Sequence, residues 1–518
     1  MPSKIFSATI IGLDSQIIEI ETDVSYGLKN FNIVGLPDKS IEESKERVSV
    51  AIKNSGLISP LSQPQRILIN LAPADLKKEG SLYDLPIALG YLLSSKQTKF
   101  SSQEKIFVGE LSLDGRLKPI KGALAIALTA QKKGFKELIL PKINAQEAAL
   151  IYLNKQINNN DFKILGVESL KEVINYLENR IKIKPTKFEN ENILKDVSYS
   201  FNFDLIKGQE SAKRALEIAA AGGHNVFFNG PPGTGKSLLA RSLPSILPNL
   251  SFQESLEVTK IHSIAGLLPE NKPLINTRPF RSPHHSASES ALIGGGNPLK
   301  PGEITLSHRG VLFLDEFPEF HRDVLESLRQ PLEEGEITIL RAKERITFPA
   351  RFILIAAANP CPCGYFRDPN KQCVCQPSQI AKYRRKLSGP LIDRIDIFIN
   401  VPQLKFEKLT QPEDKNITSQ IKEKVEKARK IQKERFSLIN KEKILVNAEM
   451  GILEIKKYCQ IDSQSKTVLK KFVDSGQLSV RGYHRVLKTA RTIADLDDSE
   501  NIKYDHLMEA LMYRIKEN

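Results

Sequence analysis

Apolar and polar residues alternate near the start of the chain in SATIIGL, IIEIETDV and NFNIVGL, and a period of two predicts strands with one buried face. The spacing lengthens to that of a helix in DKSIEESKERVSVAIKNSG and in DLPIALGYLLSS. Strand-like KIFVGELSL then runs into a turn at Asp114-Gly115, followed by a helix through ALAIALTAQKKG and a buried strand, ELILP. Residues 1–177 are therefore expected to form a mixed α/β domain. Residues 178–200 are polar, charged and poorly periodic, and read as a linker. From 201 to 402, helical stretches alternate with wholly apolar strands in NVFFNG, GVLFLDE and FILIAAANP. Strands buried on both faces belong to a parallel sheet between layers of helices. Residues 403–518 are helical by pattern, with long Lys/Glu runs such as SQIKEKVEKARKIQKERF. The chain has no internal repeats and no low-complexity tracts.

Length, composition and charge sharpen this picture. At 518 residues the chain exceeds one core, which suits three packed units. With 41% hydrophobic and 26% charged residues it is ordinary for a globular protein, and no apolar run approaches the roughly 20 residues that cross a bilayer. MPSKIFSATIIGLD lacks the pattern of a signal peptide, so a cytoplasmic protein without membrane contact is expected. The net charge is +14, and residues 341–394 alone carry 11 Lys+Arg against 3 Asp+Glu. Such a cluster suits contact with a polyanion better than a merely solvated face. Four of the five cysteines (Cys361, Cys363, Cys373, Cys375) fall in one short stretch, and Cys459 stands apart.

The strongest local signal is GPPGTGKS, comprising Gly230, Pro231, Pro232, Gly233, Thr234, Gly235, Lys236 and Ser237. It fits G-x-x-x-x-G-K-[ST] between a predicted strand and a predicted helix. Its glycines let backbone N–H groups close around phosphates, and the helix N-terminus adds its dipole. Lys236 is expected to reach the β- and γ-phosphates of ATP, and Ser237 to hold Mg²⁺. In GVLFLDE, Asp315 ends a buried strand where its carboxylate can complete the Mg²⁺ shell. Glu316 then stands where it can orient or deprotonate the attacking water, which favours hydrolysis over mere nucleotide binding. Asn359, ending FILIAAAN, is placed to order that water.

Longer stretches carry a family resemblance: RPFRSPHHSASESALIGGG (278–296), KPGEITLSHRGVLFLDEFPEF (300–320), AAANPCPCGY (356–365), GPLIDRIDI (389–397) and SVRGYHRVLKTARTIADL (479–496). Residues 201–518 resemble the magnesium-chelatase-like branch of the AAA+ ATPases, and the whole chain resembles its ComM/YifB group. The resemblance implies a P-loop AAA+ domain with a helical C-terminal lid and a hexameric ring. It assigns Asn359 to sensor 1, Arg394 to an arginine finger reaching a neighbour's nucleotide, and Arg481 to sensor 2. It also likens residues 1–177 to a Lon-protease-like domain of the ribosomal S5 type 2-like fold. Lon-type peptidases need a Ser–Lys pair. Here Leu82 and Leu124 fall at those positions, and a register shift that recovers Ser81 recovers no lysine. A collar or binding module without peptidase activity is the expectation.

Two features bear on partners. Residues 332–352 alternate like a hairpin ahead of the sensor 1 strand, and in related rings a hairpin here projects into the pore. Arg341, Lys343 and Arg345 would then meet the phosphate backbone of DNA without sequence preference; an outward hairpin with solvated charges is the alternative. His284 and His285, in the insertion, are a second candidate for DNA contact or are hydrogen-bonded structural residues. Cys361-x-Cys363 and Cys373-x-Cys375 can surround one Zn²⁺ with four thiolates, or form a reduced cysteine-rich loop. Neighbouring Arg367, Lys371, Lys382, Arg384 and Arg385 make a DNA-contacting knuckle a natural extension of the first reading. Three functions follow for testing. The preferred one is a ring-shaped DNA motor of helicase or branch-migration type, as ComM-like proteins are implicated in natural transformation. The second is a chelatase motor subunit driving Mg²⁺ into a porphyrin, against which the front domain and the cysteine loop count. The third is a nucleotide-gated scaffold, which Glu316 argues against.

Overall fold

The computed structural model describes residues 2–78, 80–153, 161–188, 198–296, 299–341, 344–369, 371–386, 391–409, 416–437 and 444–514. Among these, no helix is long and apolar enough to cross a membrane. The chain packs into two compact units rather than three: Met1–Lys195 with Phe252–Ile275 and Gly296–Pro301, and Asp196–Ser251 with Asn276–Gly295 and Gly302–Asn518. The run read as one middle segment is thus interrupted, because two of its pieces pack with the first unit.

The first unit is built on a seven-stranded mixed sheet. Its strands are β1 (Ser3–Ile11), β2 (Asp14–Tyr26), β3 (Asn30–Val34), β4 (Gln65–Ala72), β5 (Lys105–Phe107), β6 (Glu137–Pro141) and β7 (Lys163–Val167), in the order β3-β4-β2-β1-β5-β6-β7. The β1–β2 and β2–β4 pairs are antiparallel and the others parallel. Alternation in the sequence becomes alternation in burial: Ile18 and Ile20 are buried on β2, and Ile67, Ile69 and Leu71 on β4. Helix Lys39–Asn54 starts where Asp38 accepts a hydrogen bond from the Ile41 N–H at 2.9 Å, an N-cap that satisfies an orphan donor. The stretch KIFVGELSL does not continue as one strand. Lys105–Phe107 joins the sheet, while Glu110–Leu111 pairs separately with Leu117–Lys118 across the Asp114-Gly115 turn.

Helix Phe252–Ala265 docks onto this unit through specific polar contacts. The Ser263 hydroxyl donates to Glu147 Oε1 at 2.5 Å and accepts from the Gly122 N–H at 2.9 Å. The Leu124 N–H also reaches Glu147 Oε1, at 2.8 Å. Burial raises the Glu147 pKa, and these donors oppose that rise. Leu256 and Leu274 add apolar packing against the cluster containing Ala8, Ile106 and Leu124.

In the second unit the strands are β8 (Val226–Asn229), β9 (Phe280–Arg281), β10 (Val311–Leu314), β11 (Glu336–Arg341), β12 (Glu344–Pro349), β13 (Ile353–Ala358) and β14 (Ile397–Asn400). Five form an all-parallel sheet in the order β9-β10-β13-β8-β14. β10 and β13 are buried at every position, as wholly apolar strands between helix layers must be. β11 and β12 pair as the expected hairpin, with Arg341 opposite Glu344. Helices Ile417–Ser437, Val480–Leu496 and Tyr504–Met512 share one core with the sheet, in which Val425, Ile493 and Leu507 pack with Val226 and Ile355. The expected separate helical unit is therefore part of this one.

A buried polar staple joins the sheet to helix Val480–Leu496. Asp396 accepts from the Asn225 N–H at 2.9 Å, faces His224 Nδ1 at 3.7 Å and is ion-paired with Arg485. Burial works to raise the Asp396 pKa, but Arg485, His224 and the Asn225 N–H overcome it and hold the carboxyl far below the usual range.

Candidate functional site

Parallel strands present their carboxyl ends along one edge, which is where open α/β sheets build their sites. The register aligns Asn229 with Ala358 and Asn400, and Leu314 with Ala356. The residues that follow these ends, Gly230, Asp315 and Asn359, are thereby brought together. Gly230 cannot be replaced by a larger residue without movement, because a Cβ there would lie 2.3 Å from Val401 O. Gly233 and Gly235 take the left-handed conformation, with φ of +78° and +88°, and turn the loop into helix Lys236–Ile246.

Lys236 folds back into this loop. Its ammonium donates to Gly230 O at 2.5 Å, to Pro231 O at 2.9 Å and to Asn359 Oδ1 at 3.0 Å. Burial lowers its pKa, and Asp315 opposes the shift. At the second position of the helix, the Ser237 hydroxyl donates to Asp315 Oδ2 at 2.8 Å, so two hard oxygen ligands converge on one point. This donor set fits Mg²⁺ beside a triphosphate. Asp315 Oδ1 accepts from the Glu316 N–H at 2.9 Å. Glu316 itself is left-handed, with φ of +50° and ψ of +42°, a strain of about 1 kcal/mol for a residue with a Cβ. The strained turn leaves its carboxylate exposed beyond the strand end.

The site gathers residues that the sequence reading did not assign to it. His285 Nδ1 lies 3.1 Å from Glu316 Oε2, and its ring lies against that of His284 with centroids 4.1 Å apart. His284 Nδ1 pairs with the Ser286 hydroxyl at 2.8 Å. Tyr383 is buried with its phenol accepting from the Asn359 N–H, and burial raises its pKa to about 12. The only sequence signal for these contacts was the HH pair in RPFRSPHHSASES; the partners are set by packing across the fold.

Arg394 and Arg481 have a different neighbour. The buried Arg394 guanidinium is ion-paired with Glu333, and the exposed Arg481 lies 4.0 Å from the same carboxylate oxygen. Arg345 is exposed on the hairpin, and Lys343 lies outside the described residues. In the first unit, Leu124 is buried in the helix Ala123–Lys132, Leu82 packs beside the core, and the Ser81 hydroxyl donates to Glu110.

The four clustered cysteines meet. Their sulfur atoms lie within 4.8 Å of one another, with Cys361–Cys363 at 3.4 Å, Cys361–Cys373 at 3.7 Å and Cys363–Cys373 at 3.6 Å. Tetrahedral Zn–S bonds of about 2.3 Å demand sulfur separations of about 3.8 Å, so the set fits zinc. The turn presses on the phosphate loop, since a Cβ on Gly364 would fall 2.6 Å from Pro232 Cδ. Cations cover its aromatic residues: Lys371 over Tyr365 at 4.1 Å and Arg384 over Phe366 at 4.7 Å.

A parallel sheet with a glycine-rich phosphate loop, an acid pair on the neighbouring strand and a packed helical lid defines an AAA+ ATPase of the magnesium-chelatase-like branch. Models of that branch match three stretches of the chain: "Magnesium chelatase, subunit ChlI" at residues 202–409, "Subunit ChlI of Mg-chelatase" at 20–144, and the ChlI C-terminal model at 415–514. The class implies ATP and Mg²⁺. Within it, the chain belongs to the ComM/YifB family. It is 43% identical over 520 residues to competence protein ComM of Haemophilus influenzae, covering 98% of this chain and 97% of that protein. Identity to the uncharacterized protein YifB of Escherichia coli is 41%, over 99% and 97% of the two. The magnesium-chelatase 38 kDa subunit of Rhodobacter capsulatus is 29% identical over 180 residues, 31% of this chain and 50% of that one.

Proposed function

We propose that this chain is an ATP-hydrolysing, ring-forming motor of the cytoplasm that acts on DNA. The observation that carries the reading is the convergence of Lys236, Ser237, Asp315 and Asn359 at one sheet edge beside the strained Glu316. In this reading the Lys236 ammonium leaves its loop carbonyls for the β- and γ-phosphate oxygens of ATP. Ser237 and Asp315 hold Mg²⁺, which supplies positive charge to the phosphates when bound. Glu316 orients the attacking water and takes its proton, and Asn359 keeps that water in line. Arg394 and Arg481 act on nucleotide at a subunit boundary, as a hexamer would require.

The exposed Arg345 and the exposed basic helix residues Lys382, Arg384 and Arg385 support contact with the DNA backbone. ComM carries the name of a competence protein, and a branch-migration role in natural transformation suits a motor of this kind. The cysteine turn is proposed to hold zinc. The front unit is proposed to be a Lon-type fold without its Ser–Lys pair, serving as a collar.

The chelatase motor is the second reading, favoured by the names of the family models. The front segment does not count against it, because residues 20–144 match a model named for a chelatase subunit. What favours the DNA motor is end-to-end similarity to ComM against 31% coverage with the chelatase subunit.

ATP turnover and strand displacement on forked DNA, wild type against Glu316→Gln, test the proposal. The variant should bind ATP normally and hydrolyse it at least about 100-fold more slowly, the usual contribution of a positioned base. Wild-type protein that neither binds DNA at low salt nor responds to it would favour the chelatase class.

A further inference from the structure

Two arginines that the resemblance sends to nucleotide meet on one carboxylate, and that carboxylate sits at the base of the hairpin. Glu333 lies in the short helix Arg329–Glu334, which ends at Gly335 in the left-handed conformation and passes directly into β11. Glu333 ion-pairs with the buried Arg394 and lies 4.0 Å from Arg481, at the start of helix Val480–Leu496. The short helix is strapped to the hairpin. Gln330 accepts from the Thr338 N–H of β11 at 3.3 Å, and its amide donates to Glu334 at 2.9 Å. The Thr338 hydroxyl bonds across the hairpin to Thr347 of β12 at 3.2 Å. A displacement of the hairpin therefore moves Gln330 and, three residues on, Glu333.

We propose that Glu333 is a latch on Arg394 and Arg481, which load on the hairpin releases. This rests on the motor reading above. A carboxylate and a γ-phosphate compete for the same guanidinium donors, so a guanidinium held by Glu333 is withheld from nucleotide. Polyanion binding at Arg345 pulls on the strap and draws Glu333 away from both arginines. Hydrolysis is thereby tied to DNA engagement through one short element.

The test compares wild type, Glu333→Gln, Glu333→Asp and Gln330→Ala in the full-length protein. Steady-state kcat and KM for ATP are measured with and without a single-stranded oligo-dT, and assembly by sedimentation. Glu333 is 47% exposed and Gln keeps an amide oxygen toward the buried Arg394, so the fold should persist, with a melting temperature lowered by the lost ion pair. The latch predicts that Glu333→Gln raises the DNA-free kcat about fivefold, the low end of typical coupling between sites. Stimulation by DNA then falls toward unity, and Glu333→Asp restores the restraint. Gln330→Ala should keep the low DNA-free rate and lose much of the stimulation.

An unchanged DNA-free rate in Glu333→Gln overturns the latch, as does an equal loss of rate with and without DNA. A wild type that hydrolyses ATP but ignores DNA removes the DNA-motor reading, while the DNA-free rate of Glu333→Gln still decides whether Glu333 restrains the arginines. No turnover by either protein removes both.

Discussion

Asp396 shows how a single buried charge can hold the nucleotide sheet to its helical lid. Its side chain is 1% exposed and faces Arg485, His224 and the Asn225 N–H. Replacing it with Asn leaves the Arg485 charge without its counter-ion, at a cost of about 3 kcal/mol at neutral pH. The pH dependence has a definite sign. A carboxyl whose folded pKa lies below its unfolded value stabilises fully above about pH 4, and loses that contribution as pH falls toward the folded value. Chemical denaturation across pH 2–7 (a range set by those carboxyl values) should find Asp396→Asn less stable at pH 7, with the gap to wild type narrowing from about pH 4 downward. A gap that stays constant to pH 2 would refute the assignment. The phosphate loop and acid pair were readable from residue order because each lies within a few positions of a strand end. The His285–Glu316 and Glu333–arginine contacts join residues far apart in sequence, and periodicity holds no information about such partners.

Among the elements, the cysteine turn has the most to say about the nucleotide loop. Gly364 packs on Pro232, and Asn359, two residues before Cys361, bonds to Lys236. Zinc in this turn would fix the far side of the phosphate cradle. Purified protein should contain about one zinc per chain by elemental analysis, as four thiolates complete one tetrahedral site. Cys373→Ser should lose it and weaken ATP binding by about 1 kcal/mol, a typical coupling through packed neighbours. Full ATP affinity in a zinc-free variant would separate the turn from the loop. At this scale the sequence was a good guide where one period dominated: β1, β2, β10, β13 and the hairpin all lie where their patterns place them. KIFVGELSL misled because its residues serve two different sheets, and alternation alone does not mark the division.

At the scale of the whole molecule the two units are interleaved in sequence. Leu256 of helix Phe252–Ala265 and the following Leu274 pack with the first unit's core, and Ile264 lies over Gly122, although all three follow the phosphate loop in the chain. Linear patterning shows that this helix has an apolar face but not which unit receives it. A fragment of residues 201–518 should therefore aggregate or bind a hydrophobic dye, where the full chain does not. Size-exclusion chromatography would detect this, and a monodisperse fragment would count against the packing described.

The same interleaving sets a timetable for biogenesis. The first unit takes its final piece from residues 296–301, more than a hundred positions after residue 195. At about 5–20 residues per second, a ribosome needs about 5–20 s to deliver that remainder. For most of that delay, until the segment carrying Leu256, Ser263 and Leu274 is made, the nascent surface those residues will cover stays bare. Newly made chains therefore offer chaperones a docking patch that the mature protein conceals.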